Sequence, residues 1–313
     1  VRDIEIHPTT HDLVLGTHGR GIIVVDDIRP IRGMTEATAQ QPVVLFPMGT
    51  VKLSTGRFGG SGFPAGGAWN GGNPPAIPAF EYYLKDRVMS GEVKIDILDA
   101  DGKLVNTMPG TKRKGINRVY WNQRMKPPKT AEGGVKLDFS AFTAPMVMPG
   151  SYTVKLSVSG KEYTQPLTLV HDDKGSMTLA ERKAQYEASM TLYGMQEELA
   201  QLVDTLTKTQ TALKPAIETA TNKKIRQQAK EFHDKAEALR AQLMATKNKS
   251  IFADEKRFKE ELSELYAAVA ANEQAPSNLQ LQRLQLAQQE LANYKNEWAK
   301  LLSKYKPVMT AGL

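Results

Sequence analysis

The chain has 313 residues, 41% of them hydrophobic and 24% charged, with no cysteine and a formal charge of +7. That length gives two or three domains with enough apolar content for real cores, and the aliphatic runs, such as Ile22 to Val25, fall far short of the ~18 residues of a spanning helix. The missing cysteines exclude disulfide scaffolds, thiolate zinc sites, iron–sulfur ligation and cysteine nucleophiles together.

The positive charge is spread thinly, with 20 Lys and Arg against 15 Asp and Glu in residues 1–170, and 21 against 19 in residues 171–313. The compact basic cluster Lys112-Arg113-Lys114 lies between two strand patterns without interleaved aromatics, which is a solvated turn and not a nucleic-acid footprint. No nucleic acid is expected as a partner. Val1 follows no leader pattern and is not Met, so residues before it are expected to have been removed.

Glycine and proline divide the chain. Of 24 Gly, 21 lie in residues 1–170, as do 14 of 17 Pro, and beyond residue 176 the composition turns to Ala, Gln, Glu, Lys and Leu. Those are strong helix formers. The expected fold class is therefore multidomain α+β, an all-β half followed by an all-α half, with the seam at His171 to Gly175. No GxGxxG-then-helix unit and no GxxxxGK[ST] loop occurs, which removes the usual nucleotide sites.

Residues 1–27 predict three short antiparallel strands, Ile4 with Ile6, Leu13 to Leu15 and Ile22 to Val25, joined by turns at His7-Pro8-Thr9-Thr10 and His18-Gly19-Arg20-Gly21. Three strands in so short a stretch cannot bury both faces, and a propeller blade carries four strands and leans on neighbours.

Val1-Arg2-Asp3-Ile4-x-Ile6-His7-Pro8, then Asp12-Leu13-Val14-Leu15-Gly16-Thr17-His18-Gly19-Arg20-Gly21-Ile22 and Asp26-Asp27, resembles the last blade of bacterial secreted β-propeller proteins with neuraminidase-type (BNR) repeats, a family similar to the sortilin propeller and often labelled glycosyl hydrolase. The family's Ser/Thr-x-Asp-x-Gly-x-Thr-Trp box is absent here, so the blades carrying it would lie upstream. The resemblance implies residues 1–30 as the last blade of a truncated propeller, 31–79 as a Gly/Pro-rich connector, 80–172 as an immunoglobulin-like β-sandwich and 176–313 as an antiparallel helical bundle. It also implies an extracytoplasmic location, with upstream blades as partners and a protein or carbohydrate ligand.

Within the connector, Gly56 to Gly72 is almost all Gly with Ser, Ala, Pro and aromatics, and it runs into Pro74-Pro75 without a following helix. A linker or loop pinned by Phe58, Phe63 and Trp69 is expected in place of a phosphate cradle. From Phe80 to Val170 strand patterns recur at sandwich spacing: Phe80 to Leu84, Val93 to Leu98, Lys103 to Met108, Gly115 to Trp121, Tyr152 to Val158 and Tyr163 to Val170. The strings around Ala100-Asp101-Gly102, Gly115 to Arg124 and Met148 to Val154 resemble immunoglobulin-like modules of the flagellar hook-cap type, which implies a spacer or docking surface.

Thr178 and Glu181 form a capping box for a first helix, which Pro215 is expected to close or kink. Ile225, Ala229, Phe232, Ala236, Leu239 and Leu243 form a heptad seam in a second helix, Phe258, Leu262, Leu265 and Val269 repeat it in a third, and Leu284, Leu291, Trp298 and Tyr305 carry a fourth. Trp298, Leu291 and Leu284 are expected to return along the Phe232–Leu239 seam.

Chemistry is sparse. His7, His11 and His18 share one end of the strand cluster, but a zinc site needs three or four ligands and a supporting shell, and no metal is expected. Asp26 and Asp27 are adjacent at a strand end, so their side chains diverge and cannot flank one glycosidic bond. Sialidase-type chemistry needs an arginine cluster and a nucleophile, and Arg20 would join such a set only with help from other blades. No catalytic, cofactor-binding or metal residue is assigned and no cofactor is expected. The function expected is a non-catalytic scaffold or interaction region, the alternative being the accessory part of a sialidase-like glycoside hydrolase whose active site lies upstream.

Overall fold

The computed structural model describes residues 1–53, 77–134, 138–246 and 255–311, as mixed α and β structure with sheets first and helices after. Gly56–Gly72, with Phe58, Phe63 and Trp69, lies outside the described residues. Two compact units divide the chain, residues 1–126 with 147–174, and residues 127–146 with 175–313.

The first unit begins with the expected antiparallel sheet: β1 (Asp3–Ile6), β2 (Leu13–Gly16) and β3 (Ile22–Val25). The order is β1-β2-β3, and among the described residues its strands pair with no other sheet. Two short helices follow, α1 (Arg29–Arg32) with Pro30 in its first turn and α2 (Glu36–Gln40) capped by Thr35.

Two further sheets make up the rest. β4 (Val43–Leu45), β6 (Ala79–Leu84) and β9 (Gly115–Tyr120) form one in the order β4-β6-β9. β5 (Thr50–Lys52), β7 (Val93–Leu98), β8 (Leu104–Pro109), β10 (Gly150–Val158) and β11 (Lys161–Val170) form the other, ordered β5-β11-β10-β7-β8. Alternation along these strands sends Val93, Ile95, Ile97, Val154, Leu156, Leu167 and Leu169 inward, all buried. Trp121, fully buried, stacks on Phe80 at 5.9 Å, meets Tyr152 edge-on at 6.3 Å, and donates its indole N–H to the Arg124 carbonyl at 2.9 Å.

The residues expected to be a mere connector, 31–79, thus supply β4 and β5 as well as the helices. β5 lies parallel to β11, pairing Thr50 with Thr168 and Lys52 with Val170. Strands of three residues are too short to show a period of two, which is why composition alone hides them.

In the second unit α3 (Leu179–Thr219), α4 (Lys223–Leu243), α5 (Phe258–Ala270) and α6 (Asn278–Ala311) share one core. Gln210 pairs with Glu237, Gln196 with Ser263 and Gln185 with the Val269 carbonyl, so α4 and then α5 run back along α3 end to end. Lys295 reaches Glu198 at 2.7 Å, while Phe232 stacks on Trp298 at 5.8 Å and on Tyr305 at 4.8 Å. The fourth helix returns along the second at those two aromatics.

Two details depart from the sequence. Pro215 does not close α3, which continues to Thr219, because a proline inside a helix removes one internal hydrogen bond and leaves the others in place. Residues 127–146, inside the stretch expected to be sandwich, belong to the helical unit. Lys129 pairs with Asp204, Ala131 enters the helical core, Ser140 bonds Ser263 at 3.1 Å, and the Thr143 carbonyl accepts from the Tyr266 hydroxyl at 3.0 Å.

Candidate interaction surface

The register of the first sheet decides its chemistry. Ile4, Leu15 and Ile23 lie in one row and Ile6, Leu13 and Val25 in the next row but one, so these six aliphatic side chains share one face. Asp3, Glu5, Val14, Gly16, Ile22 and Val24 share the other. The first face is not covered: Ile4 is 59% exposed, Ile6 and Ile23 are each 45% exposed, and Val25 is 37% exposed. The exposed aliphatic residues are neighbours on one face and not a random scatter.

A polar latch holds this sheet to the rest of its unit. Asp27 lies in the left-handed region at φ 43°, a conformation that costs a non-glycine residue of order 1 kcal/mol or more. Hydrogen bonds from three directions hold it there. Its N–H donates to Asp12 Oδ1 at 2.9 Å, its carboxylate accepts from Arg29 Nε at 2.8 Å and Nη2 at 2.5 Å, and its carbonyl, with that of Asp26, accepts from Arg118 Nη2 at 3.3 and 3.0 Å. Arg118 in turn donates through Nε to Glu81 Oε1 at 2.6 Å. Arg29 comes from α1, Glu81 from β6 and Arg118 from β9, so three elements converge on the end of β3.

The carboxyls respond differently to this setting. Burial pushes Glu81 above its ordinary value, outweighing the Arg118 hydrogen bond. Asp27 is also pushed up by burial, but the hydrogen bonds and charge of Arg29 win and hold it low. Asp12 is lowered by the Thr10 hydroxyl and then by the Asp27 N–H.

The sequence candidates fare unevenly against this geometry. Asp26 and Asp27 do meet in one place, but as latch components, one through its carbonyl and one through a carboxylate committed to Arg29. Arg20 sits in the exposed second turn, its N–H bonded to Thr17 Oγ1 at 3.2 Å. His7 Nδ1 serves as the acceptor for Thr10 N–H at 3.2 Å, His11 takes a left-handed φ of 60°, and His18 is exposed in the second turn. Among the described residues no three His, Asp or Glu side chains are grouped to hold a metal. The Lys112–Lys114 cluster is a turn stapled by Asn117, whose side chain bonds the backbone of Arg113 and Gly115.

Glu81, Arg118 and Arg29 were missed by sequence reasoning. The available signal was a lone acid between Phe80 and Tyr82 in an otherwise apolar strand. Its basic partner lies 37 positions later, and no periodicity links the two.

A second polar group lies in the helical unit. Gln196 donates to Ser263, which bonds Ser140, whose hydroxyl donates to Asp138 at 2.5 Å, and Lys259 stands 3.4 Å from Asp138. No imidazole is among the partners, so nothing activates either serine as a nucleophile. The group ties residues 127–146 to α5, though Gln196 Oε1 stays buried without a hydrogen-bond partner. Among the described residues no helix is long and apolar enough to cross a membrane.

No protein-family model and no curated protein matches the chain. Among solved structures, CopC from Methylosinus trichosporium OB3b is 20% identical over 31% of this chain and 81% of that one, at a TM-score of 0.20. Likeness of this extent bears on neither fold family nor function.

Proposed function

We propose that this chain is a non-catalytic scaffold and interaction region of an extracytoplasmic β-propeller protein. Residues 1–27 would be the last blade, the sheets β4-β6-β9 and β5-β11-β10-β7-β8 an immunoglobulin-like sandwich, and α3–α6 an antiparallel helical bundle. One observation carries this: a rigidly latched sheet presents six aliphatic side chains on one face, four of them more than a third exposed. Such a face gains roughly 25 cal/mol for each Å² it buries, and another sheet stacked ~10 Å above it is the natural cover. Propeller blades stack in this way. A structural role for the carboxylates of Asp27 and Glu81 fits this reading, since each is bound to an arginine.

Placing a charge on the face tests the proposal. Ile23→Asp in the full-length natural protein should leave the helical unit folded but open the propeller to protease at its last blade. An unchanged digestion pattern would contradict a blade role for residues 1–27.

A further inference from the structure

We infer that the loops around Met89 and Lys112 form a docking surface for an anionic lipid bilayer. The surface lies within the first unit and uses no residue of the β1-β2-β3 sheet. Residues 85–92, between β6 and β7, and residues 110–116, from the end of β8 into β9, hold five cations against two carboxylates, Asp86 and Glu92. The backbone ties the two loops together, with the Val88 N–H donating to the Lys112 carbonyl at 3.1 Å. Arg87 and Met89, on either side of Val88, therefore stand beside Lys112, Arg113 and Lys114, and all five are exposed. In the same unit Lys94, Lys155 and Arg118 are each paired with a carboxylate, whereas Arg87, Lys112, Arg113 and Lys114 form no ion pair among the described residues.

The shape of the basic turn is fixed from inside. Tyr82, fully buried, donates its hydroxyl to the Thr111 carbonyl at 2.6 Å. Asn117, 3% exposed, accepts from the Thr111 hydroxyl at 2.6 Å and the Arg113 N–H at 3.2 Å, and donates to the carbonyls of Arg113 and Gly115 at 2.8 and 2.9 Å. Gly115, at φ 91°, turns the chain back into β9 through the left-handed region that glycine enters freely. A solvated turn accounts for the three basic side chains but not for Met89, which at 82% is the most exposed large apolar side chain among the described residues. Ile116, two positions beyond Lys114, is itself 41% exposed.

An apolar tip flanked by unpaired cations fits one kind of partner best. At a bilayer the apolar side chain enters the boundary between headgroups and acyl chains, while lysines and arginines beside it stay among anionic headgroups. Cations this close act together, since their spacing is within the ~10 Å screening length of 0.1 M salt. A nucleic acid would take the cations but give Met89 nothing to bury against, and residues 85–92 and 110–116 contain no aromatic side chain on which a base could stack.

The test floats the whole chain with vesicles of phosphatidylcholine alone, and of phosphatidylcholine with about one third phosphatidylglycerol, at ~0.1 M salt. The charged vesicles should bind about ten-fold more tightly or better. Changing Lys112, Arg113 and Lys114 together to Gln should weaken that binding about 100-fold, at roughly five-fold per charge. The same change at Lys208, Lys214 and Lys300, exposed cations of the helical unit, should leave it within about two-fold. Met89→Ser should weaken it about five-fold without altering its salt dependence. Arg87→Gln reads the facing loop separately, should the first triple variant fail to fold. Equal binding to both vesicles, equal loss in the two triple variants, or full binding by Met89→Ser would overturn the proposal. Duplex DNA or polyglutamate binding as tightly as the charged vesicles, and independently of Met89, would overturn it in favour of a polyanion of another class.

Discussion

The aliphatic side chains of two strands end in opposite environments. Val93, Ile95 and Ile97 of β7 are each no more than 2% exposed, while every residue of β3, Ile22 to Val25, is at least 37% exposed. β7 alternates these with Lys94 and Asp96 while β3 is aliphatic throughout, and both lie within antiparallel pairings. The difference is the second layer: β7 lies in a sheet whose aliphatic face looks into the core that holds Trp121, and β3 lies in a three-stranded sheet that stays exposed among the described residues. Strand chemistry selects a pleated surface, but only a second layer makes it a core. An uncovered aliphatic sheet is therefore read as half of something.

The largest way to break the comparison is at the covered side. Trp121→Ala should cost ~3–5 kcal/mol, the usual range for a buried large aromatic, because it empties the space between Phe80 and Tyr152. Denaturant melts followed by amide signals of β7 and β10 would check this. Trp298→Ala is the matching change in the helical unit, where the chain covers its own apolar face. It should cost a similar ~3–5 kcal/mol by removing the stack on Phe232, seen as a loss of helical ellipticity with β7 still protected from exchange.

A smaller effect is expected at the latch. Arg118→Met leaves Glu81 buried without its donor and frees the carbonyls of Asp26 and Asp27. With Arg118 about a third exposed, the loss should be ~1–3 kcal/mol, and the exchange of β3 amides should speed up far more than that of β7. Equal acceleration in both strands would mean the latch supports the whole unit and not the uncovered sheet in particular.

The smallest effect is electrostatic. Glu231 is held down to about 2 by hydrogen bonds from Lys235 first, then Tyr305 and Lys304. Its folded value lies below the ordinary 4.5, so its charge supports the folded state above that pH, and the support is lost as pH falls toward about 2. In Glu231→Gln the melting temperature should depend less on pH across that window, with a deficit at neutral pH that is small because the group is on the surface and that disappears as pH falls toward about 2.

The sequence made some of this legible and hid the rest for physical reasons. The sheet of residues 1–27 was readable because turns at His7–Thr10 and His18–Gly21 bracket aliphatic runs, and the helices because seams such as Ile225 to Leu243 repeat in fours and threes. Hidden were β4 and β5, too short for a period, and residues 127–146, which start with two prolines and carry no period at all. The latch was hidden because its members come from β3, α1, β6 and β9, and only tertiary structure brings them together.

The central claim is that another sheet covers the face of Ile4, Ile6, Leu13, Leu15, Ile23 and Val25. Carbene footprinting of these positions, in the isolated chain and in the full-length protein purified from its natural source, tests it most directly. Strong labelling of Ile4, Ile6, Ile23 and Val25 in the isolated chain and their protection in the natural protein is the predicted result, with β7 protected in both. Equal labelling of the four residues in the two samples would contradict it.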